Sequence, residues 1–314
     1  MDGAGSDPDR VEHVPVLYQS VLDWLQPQTG KKYLDGTVGG GGHAQGILGR
    51  GAFLLGLDRD ADALRTARSR LAPFAERVIL RQASYRQARA ILDQIGWGQV
   101  AGILLDLGIS SSQLSDPERG FAFGRDGPLD MRFDRTGGDT AADLVNTLPE
   151  EEIARTLFLY GEERNARRIA RAIVRNRPIA STGMLAEVVA SAAGNQGSGR
   201  SGVHPATRTF QALRIAVNHE LEELEAALPD LMESLETGGR MAVISFQSLE
   251  DRLVKRAFRK ASGKPGKDEP KSALLSERKV FFRDVTGKPV RPSRDEIAEN
   301  PRSRSAKLRV LERL

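Results

Sequence analysis

Three aspartates and one glycine-rich turn hold most of the chemistry this sequence can perform. Asp35 follows a short apolar run and opens Asp35-Gly36-Thr37-Val38-Gly39-Gly40-Gly41-Gly42-His43, after which the Ala, Ile and Leu residues of a helix begin. Glycines permit positive φ and close approach of the backbone to a ligand, and the start of the next helix offers unpaired N–H groups. A second apolar run, Phe53 to Leu57, ends at Asp58, about 20 residues past the start of the turn, where nucleotide-binding α/β units place the acid that holds a ribose hydroxyl. A further run, VAGILLDL from Val100 to Leu107, carries Asp106 near its end. This order of strand, glycine turn, helix, strand and acid predicts a site for an adenosine-containing cofactor.

Which cofactor depends on Asp35. Gly39, Gly41 and Ala44 also fit the dinucleotide fingerprint with its permitted final Ala. A carboxylate at the end of the first strand, however, repels a pyrophosphate and attracts the ammonium and sulfonium of S-adenosylmethionine. The competing reading makes Asp35 a turn cap and the glycines a tight loop. Asp106 stands where an open α/β sheet binds ligands, beyond the carboxyl end of a strand. Methyl transfer from a sulfonium is an in-line displacement in which the protein supplies alignment and hydrogen bonds. An exocyclic base amine is a poor nucleophile, and a carboxylate accepting its N–H bonds improves it, so Asp106 is the first candidate for that contact. Asp130, in Gly127-Pro128-Leu129-Asp130-Met131-Arg132, is the second. Phe121 and Phe123 nearby either stack on an extruded base or fill an interior.

Composition removes several alternatives. The 314 residues contain no cysteine, which excludes thiolate addition to a pyrimidine ring and makes zinc sites improbable. The four histidines, His13, His43, His204 and His219, include no helical metal-binding pair, so no metal is expected. No apolar run is long enough to span a bilayer, and residues 1–12 are a polar, acidic tail without signal-segment character, so the expected location is the cytosol with no membrane partner. The net charge of +4 is only mildly basic, but Arg164, Arg168, Arg171 and Arg175 recur at helical spacing within YGEERNARRIARAIVRNR, with Ile169 and Ile173 on the opposite side. That stripe is either a solvated face paired to Glu162 and Glu163 or a track for RNA phosphates.

The elements that must position these residues read as α/β. Strands are expected at Lys32–Leu34, Phe53–Leu57, Val78–Gln82 and Val100–Leu107, the last apolar throughout and suited to burial on both faces of a parallel sheet. A doubly wound, Rossmann-like sheet follows. Its rhythm then stops until GRMAVISF at Gly239–Phe246, and the intervening segment holds helices at Glu150–Leu159, Glu162–Arg175 and Met184–Ala193. A tail at 1–12, a sheet domain at 13–113 and 205–314, and an inserted smaller helical domain at 114–204 are the expected divisions. Gly194 to Gly202 and Ala261 to Glu277 are expected loops. One long helix is expected from Pro205 to Leu228, ended by Pro229, and two final strands at Lys279–Asp284 and Lys307–Leu311.

At the level of whole motifs, DGTVGGGGH, LDRD, ILLDLGISSSQL, RGFAF with RDGPLDMR, YGEERNARRIARAIV, HPATRTFQALRIAVNHEL, ISFQSLEDRLVK and NPRSRSAKLR together resemble the bacterial ribosomal small-subunit methyltransferase H family. The resemblance covers nearly the whole chain after His13. It implies an S-adenosylmethionine-dependent methyltransferase sheet with a substrate-recognising helical insertion, acting on the N4 amine of one cytidine of 16S rRNA in the decoding region of the small ribosomal subunit. Carried onto matching positions, it places cofactor contacts at Gly41, Gly42, His43, Asp58, Tyr85, Asp106 and Gln113. Tyr85 stands where the family often has Phe, which keeps an aromatic face. Gln247 stands where the family commonly has His, which argues against a general base there. It also adds weight to the arginine stripe as an RNA surface. Two other classes remain open, a nicotinamide-dependent oxidoreductase and a non-catalytic RNA-binding assembly factor, and so does a homodimer.

Overall fold

The computed structural model describes residues 15–194, 204–264 and 280–314. They contain a seven-stranded sheet built from β1 (Lys32–Asp35), β2 (Phe53–Asp58), β3 (Val78–Gln82), β4 (Val100–Asp106), β5 (Leu235–Ser245), β6 (Phe282–Asp284) and β7 (Lys307–Arg313). The strand order is β3-β2-β1-β4-β5-β7-β6. The pairs from β3 through β5 are parallel, and β7 is antiparallel to both β5 and β6. From β1 the chain winds outward through β2 and β3, then returns to place β4 on the other side of β1. Strand order reverses there, so the carboxyl ends of β1 and β4 flank the crevice where doubly wound sheets bind ligands. Asp35 and Asp106 are the last residues of those two strands.

The chain divides into two compact units. The first comprises the residues up to Asp58, Leu64–Leu107 and Pro229–Leu314. It holds the sheet with α1 (Tyr18–Leu25), α2 (Gly42–Gly49), most of α3 (Ala61–Leu71) and α4 (Ala88–Gln94). Its core joins Val21 and Leu22 of α1, Ile47 and Leu48 of α2, and Leu64 and Leu71 of α3 to Leu54, Leu104 and Ile244 of the strands. With Leu25, Ala44 and Ala67 of the same core, these side chains recur at three- and four-residue intervals on the helices, which is the spacing that puts them on one face.

The second unit comprises Arg59–Ala63 and Gly108–Leu228. It contains α5 (Ser111–Ser115), α6 (Ala141–Thr147), α7 (Glu150–Gly161), α8 (Ala166–Arg175), α9 (Thr182–Ala193), α10 (Ala206–Asn218) and most of α11 (Glu220–Glu233). Ile153, Leu157, Ile169, Ile173, Leu185, Val189, Phe210 and Leu213 form its core. The remaining helices, α12 (Ser248–Ala261) and α13 (Arg294–Glu299), belong to the first unit.

Several expectations need correction. The single helix from Pro205 to Leu228 is two, broken at His219 in the left-handed region (φ 51°). Pro229 lies inside α11 instead of ending it, at the loss of one ladder hydrogen bond. Phe210 and Leu213 of α10 pack into the second unit, so that unit extends past the expected boundary at residue 204. The arginine stripe is also broken, because Glu162 (φ 49°) ends α7 and α8 begins at Ala166, leaving Arg164 ahead of the helix. Arg168 donates to the Ala193 carbonyl at the end of α9, and Arg171 pairs with Glu150 at 3.4 Å. Gly194 closes α9, while the rest of the expected loop to Gly202 falls outside the described residues. The tail at 1–12, Lys279 and the expected loop from residue 265 onward also lie outside them. Among the described residues, no helix is long and apolar enough to cross a membrane.

Candidate active site

The glycine turn is held by hydrogen bonds that also tie the two switch-point strands together. Asp35 is 1% exposed, and its Oδ1 accepts from the Thr37 amide at 3.1 Å. Oγ1 of Thr37 accepts from the Asp106 amide at 2.6 Å, and the Gly36 amide donates to the Leu104 carbonyl at 2.9 Å. The turn is fastened to β2 as well, since the Val38 amide donates to Leu57 and the Gly39 amide donates to Oδ2 of Asp58 at 2.8 Å. A Cβ on Gly36 would lie 2.6 Å from Leu105 and 2.9 Å from Cβ of Tyr85, so only glycine lets Tyr85 approach the turn. Gly41 takes φ 83° immediately before α2, a conformation that an L side chain strains. Tyr85 itself opens a short 3-10 turn, Tyr85–Gln87, capped by Ser84.

His43 and Asp106 meet at the start of α2. The imidazole is buried, and its Nε2 lies 3.0 Å from the Val16 carbonyl, which can only accept, so Nε2 carries the hydrogen. Nδ1 therefore turns a lone pair towards Oδ2 of Asp106, 3.6 Å away. Burial holds the ring neutral by lowering its pKa to about 4. Burial, then the negative charges of Asp35 and Glu250, raise the Asp106 carboxyl to about 8. Burial likewise raises Asp35 to about 7, against the opposing pull of its hydrogen bonds from Thr37. Oδ1 of Asp106 is shielded from water and has no hydrogen-bond partner. An orphaned buried acceptor and two carboxyls whose ionisation is suppressed fit a cationic ligand that carries N–H donors or brings one beside it. Among the described residues, no cluster of His, Asp and Glu is arranged to hold a metal ion.

Glu250 and Gln247 start α12. Oε2 of Glu250 accepts from the amides of Phe246 and Gln247, and its Oε1 accepts from Nε2 of Gln247 at 2.8 Å. A primary amide is neither an acid nor a base near neutral pH, and in this structure the Gln247 side chain donates to Glu250 at the start of a helix.

The second unit holds Gln113 and Asp130, and both are engaged there. Gln113 is 7% exposed; its Nε2 donates to Oδ2 of Asp60 at 2.7 Å and its Oε1 accepts from the Ser110 amide at 2.9 Å. The same Asp60 oxygen pairs with Nη1 of Arg119 at 2.6 Å, and Nη2 of Arg119 donates to the carbonyls of Arg132 and Phe133. Asp130 accepts from Nε and Nη2 of Arg132 at 2.8 and 3.0 Å, which contributes to holding its carboxyl below the usual range against the effect of burial. Both oxygens of Asp130 are thus occupied, and an amine contact there would have to displace Arg132. Phe121 is buried and stacks on Phe133 at 5.5 Å, and Phe123 lies between His204 and Phe210. Phe121 fills the core, and Phe123 packs partly buried against it, so neither ring stands free to stack a base.

Sequence reasoning did not single out Thr37, Asp60 or Arg119. The signals were present, an acid two residues past the strand end in LDRD and an arginine two residues before the first aromatic of RGFAF. Their pairing spans distant parts of the chain and has no local periodicity.

A doubly wound sheet with an antiparallel β7, a glycine turn and paired acids at the switch point defines a Rossmann-like methyltransferase fold. The chain belongs to the MraW methylase family, whose model matches residues 10–314. Among curated relatives, "Ribosomal RNA small subunit methyltransferase H" of Oleidesulfovibrio alaskensis is 49% identical over 96% of this chain and 95% of its own length. The protein of the same name from Pelobacter propionicus is 46% identical over 96% of this chain and 99% of its own. A solved rRNA methylase from Streptococcus thermophilus aligns with 95% of this chain and 93% of that chain at 11% identity and a TM-score of 0.40, too distant to bear on the site.

Proposed function

We propose that this chain transfers a methyl group from S-adenosylmethionine to the N4 amine of a cytidine in the decoding region of 16S rRNA. One observation carries the reading: Oδ1 of Asp106, a buried acceptor without a partner, lies at the switch point beside the glycine turn. The names of the curated relatives support small-subunit rRNA as the substrate. S-adenosylmethionine supplies the methyl group on a sulfonium, the cation that the suppressed ionisation of Asp35 and Asp106 fits.

The protein's own groups then have separable roles. The turn from Gly39 to Gly42 presents backbone to the cofactor, and Asp58, already fixed by the Gly39 amide, keeps its place for a ribose hydroxyl. Tyr85 offers an aromatic face for adenine. His43, neutral and anchored on Val16, lies beside Asp106 with Nδ1 3.6 Å from Oδ2. The partly exposed Asp106 carboxyl would accept an N–H of the cytidine amine, with Oδ1 available once the side chain turns out of its shielded position. The proton that the amine must lose would pass to water or to Asp106 once the neighbouring sulfonium has favoured its ionised form. Gln113 is assigned to the cofactor by the family resemblance alone, and Asp130 is kept as a residue that shapes its own turn. A ribosomal substrate accords with the cytosolic location expected from sequence.

The test is methylation of small-subunit rRNA by the purified protein, with mass spectrometry of the digested nucleosides. N4-methylated cytidine in the wild-type reaction and its absence with Asp106→Ala are expected. Full activity of Asp106→Ala would sink the assignment of that residue. Titration calorimetry showing NAD binding without S-adenosylmethionine binding would instead favour the oxidoreductase reading.

A further inference from the structure

The second unit carries a feature that the methylation chemistry leaves unused. A cavity of about 870 Å³ opens between α7 and α8, and Phe158 and five arginines line it. The Phe158 side chain is 62% exposed, and Leu159 beside it is 44% exposed. Leaving an aromatic ring in water forgoes the stabilisation of burying it, so an exposed ring in a recess marks a contact surface. The charge around it is lopsided, with guanidiniums of Arg155, Arg164, Arg167, Arg168 and Arg171 against the carboxylates of Glu150 and Glu151. Arg171 is paired with Glu150 and Arg168 is committed to Ala193, while Arg164 and Arg167 have no ion-pair or hydrogen-bond partner among the described residues.

The break at Glu162 produces this arrangement. A continuous helix from Glu162 would have put Arg164 on the same stripe as Arg168 and Arg171. With α7 ended and α8 restarted at Ala166, Arg164 joins Arg155 and Phe158 of α7 in lining the recess. An aromatic face flanked by unpaired guanidiniums is the chemistry that holds single-stranded nucleic acid, with bases stacking on rings and phosphates meeting arginines. A duplex hides its base faces and cannot use Phe158 in this way. We propose that the recess between α7 and α8 binds an unpaired nucleotide of the rRNA substrate, its base on Phe158 and its flanking phosphates on Arg155, Arg164 and Arg167. This rests on the rRNA reading above and adds where, outside the cofactor site, the RNA is gripped.

The test compares full-length wild type with Phe158→Ala and with Arg164→Glu/Arg167→Glu. The probes are a fluorescein-labelled single-stranded oligoribonucleotide of small-subunit rRNA sequence, the same strand annealed to its complement, and the methylation assay. Phe158→Ala is expected to weaken single-strand binding roughly tenfold and to leave duplex binding unchanged. The double variant is expected to lower the dependence of log K on log salt by about 1.4 or more, to raise KM for rRNA, and to leave S-adenosylmethionine affinity and kcat at saturation intact. Unchanged KM and unchanged single-strand affinity in both variants of an active enzyme would overturn the recess while leaving the methylation reading in place. A wild-type dimer that Phe158→Ala converts to monomers, with RNA binding unaffected, would overturn it in favour of a contact between copies. Failure of the wild type to methylate any small-subunit rRNA would overturn the underlying reading and this proposal together.

Discussion

Nδ1 of His43 faces Oδ2 of Asp106 across 3.6 Å, and the imidazole is the neutral partner. Because Nε2 carries the hydrogen that the Val16 carbonyl accepts, the side of His43 facing Asp106 is a lone pair. A proton on the Asp106 carboxyl is then best placed on Oδ2, where it points at that lone pair, and Oδ1 is left as an acceptor.

Asp106→Ala should reduce methyl transfer to small-subunit rRNA by at least about 100-fold, the lower end of what a positioned acid or base contributes. Asp106→Asn should lose less, since its carbonyl can occupy the Oδ1 position while its amide N–H faces His43. Radiolabelled methyl incorporation measures both, and equal activity of the two variants would remove the role given to Oδ1.

The contribution of Asp35 and Asp106 to stability should fall as pH rises from about 4 to about 8, offset in part between about 4 and 6.5 by His43, which the folded chain keeps neutral and the unfolded chain protonates. The unfolded chain ionises Asp35 and Asp106 near their ordinary values, whereas the folded chain keeps protons on them up to about 7 and about 8. Across that window the folded state binds more protons, so raising pH favours unfolding, by at most roughly 1.4 kcal/mol per pH unit for each group. Urea unfolding of wild type and Asp35→Asn at pH 5, 7 and 9 reads this out. A wild-type profile no steeper than that of the variant, which keeps the Asp106 contribution, would contradict the suppressed ionisation of Asp35.

Arg119→Ala should destabilise the second unit by about 3–5 kcal/mol, because it strands a buried Asp60 carboxylate and two backbone carbonyls. Replacing both partners, Asp60→Leu with Arg119→Met, should recover much of the loss. Chemical unfolding monitored together with limited proteolysis would show it; a loss below about 1 kcal/mol in the single variant would place the pair among weak surface bridges.

Gly41→Ala should cost about 1–2 kcal/mol through its left-handed backbone and should weaken S-adenosylmethionine binding by more than it weakens folding. Calorimetric titration beside thermal unfolding separates the two effects. Unaltered cofactor affinity would mean that the turn contacts no ligand.

The strands and the turn were legible because their signals are local. VAGILLDL, for instance, is apolar throughout and became a strand buried along most of its length. The positions of Asp35, Asp58 and Asp106 at strand ends were legible by the same local signals. The roles of Thr37, Asp60 and Arg119 were not, because each acts through a partner distant in sequence. The break at His219 carries no local signal, because the residue in the left-handed conformation is a histidine and not a glycine. Pro229 misled for the complementary reason, since α11 tolerates a single missing donor.

The interruption of the sheet also has a temporal side. β4 ends at Asp106, yet its neighbour β5 begins only at Leu235, after the whole second unit has been spelled out. During synthesis the emerging chain therefore carries β1 to β4 with one central strand still an open edge, the arrangement most exposed to wrong pairing. The inserted unit has its own core and can fold in that interval, and Asp106 acquires its lasting neighbour on the β5 side only when Ile244 arrives opposite it. The crevice at the ends of β1 and β4 is thus among the last parts of the molecule to be completed, and a nascent or truncated chain would lack it even with every glycine of the turn in place.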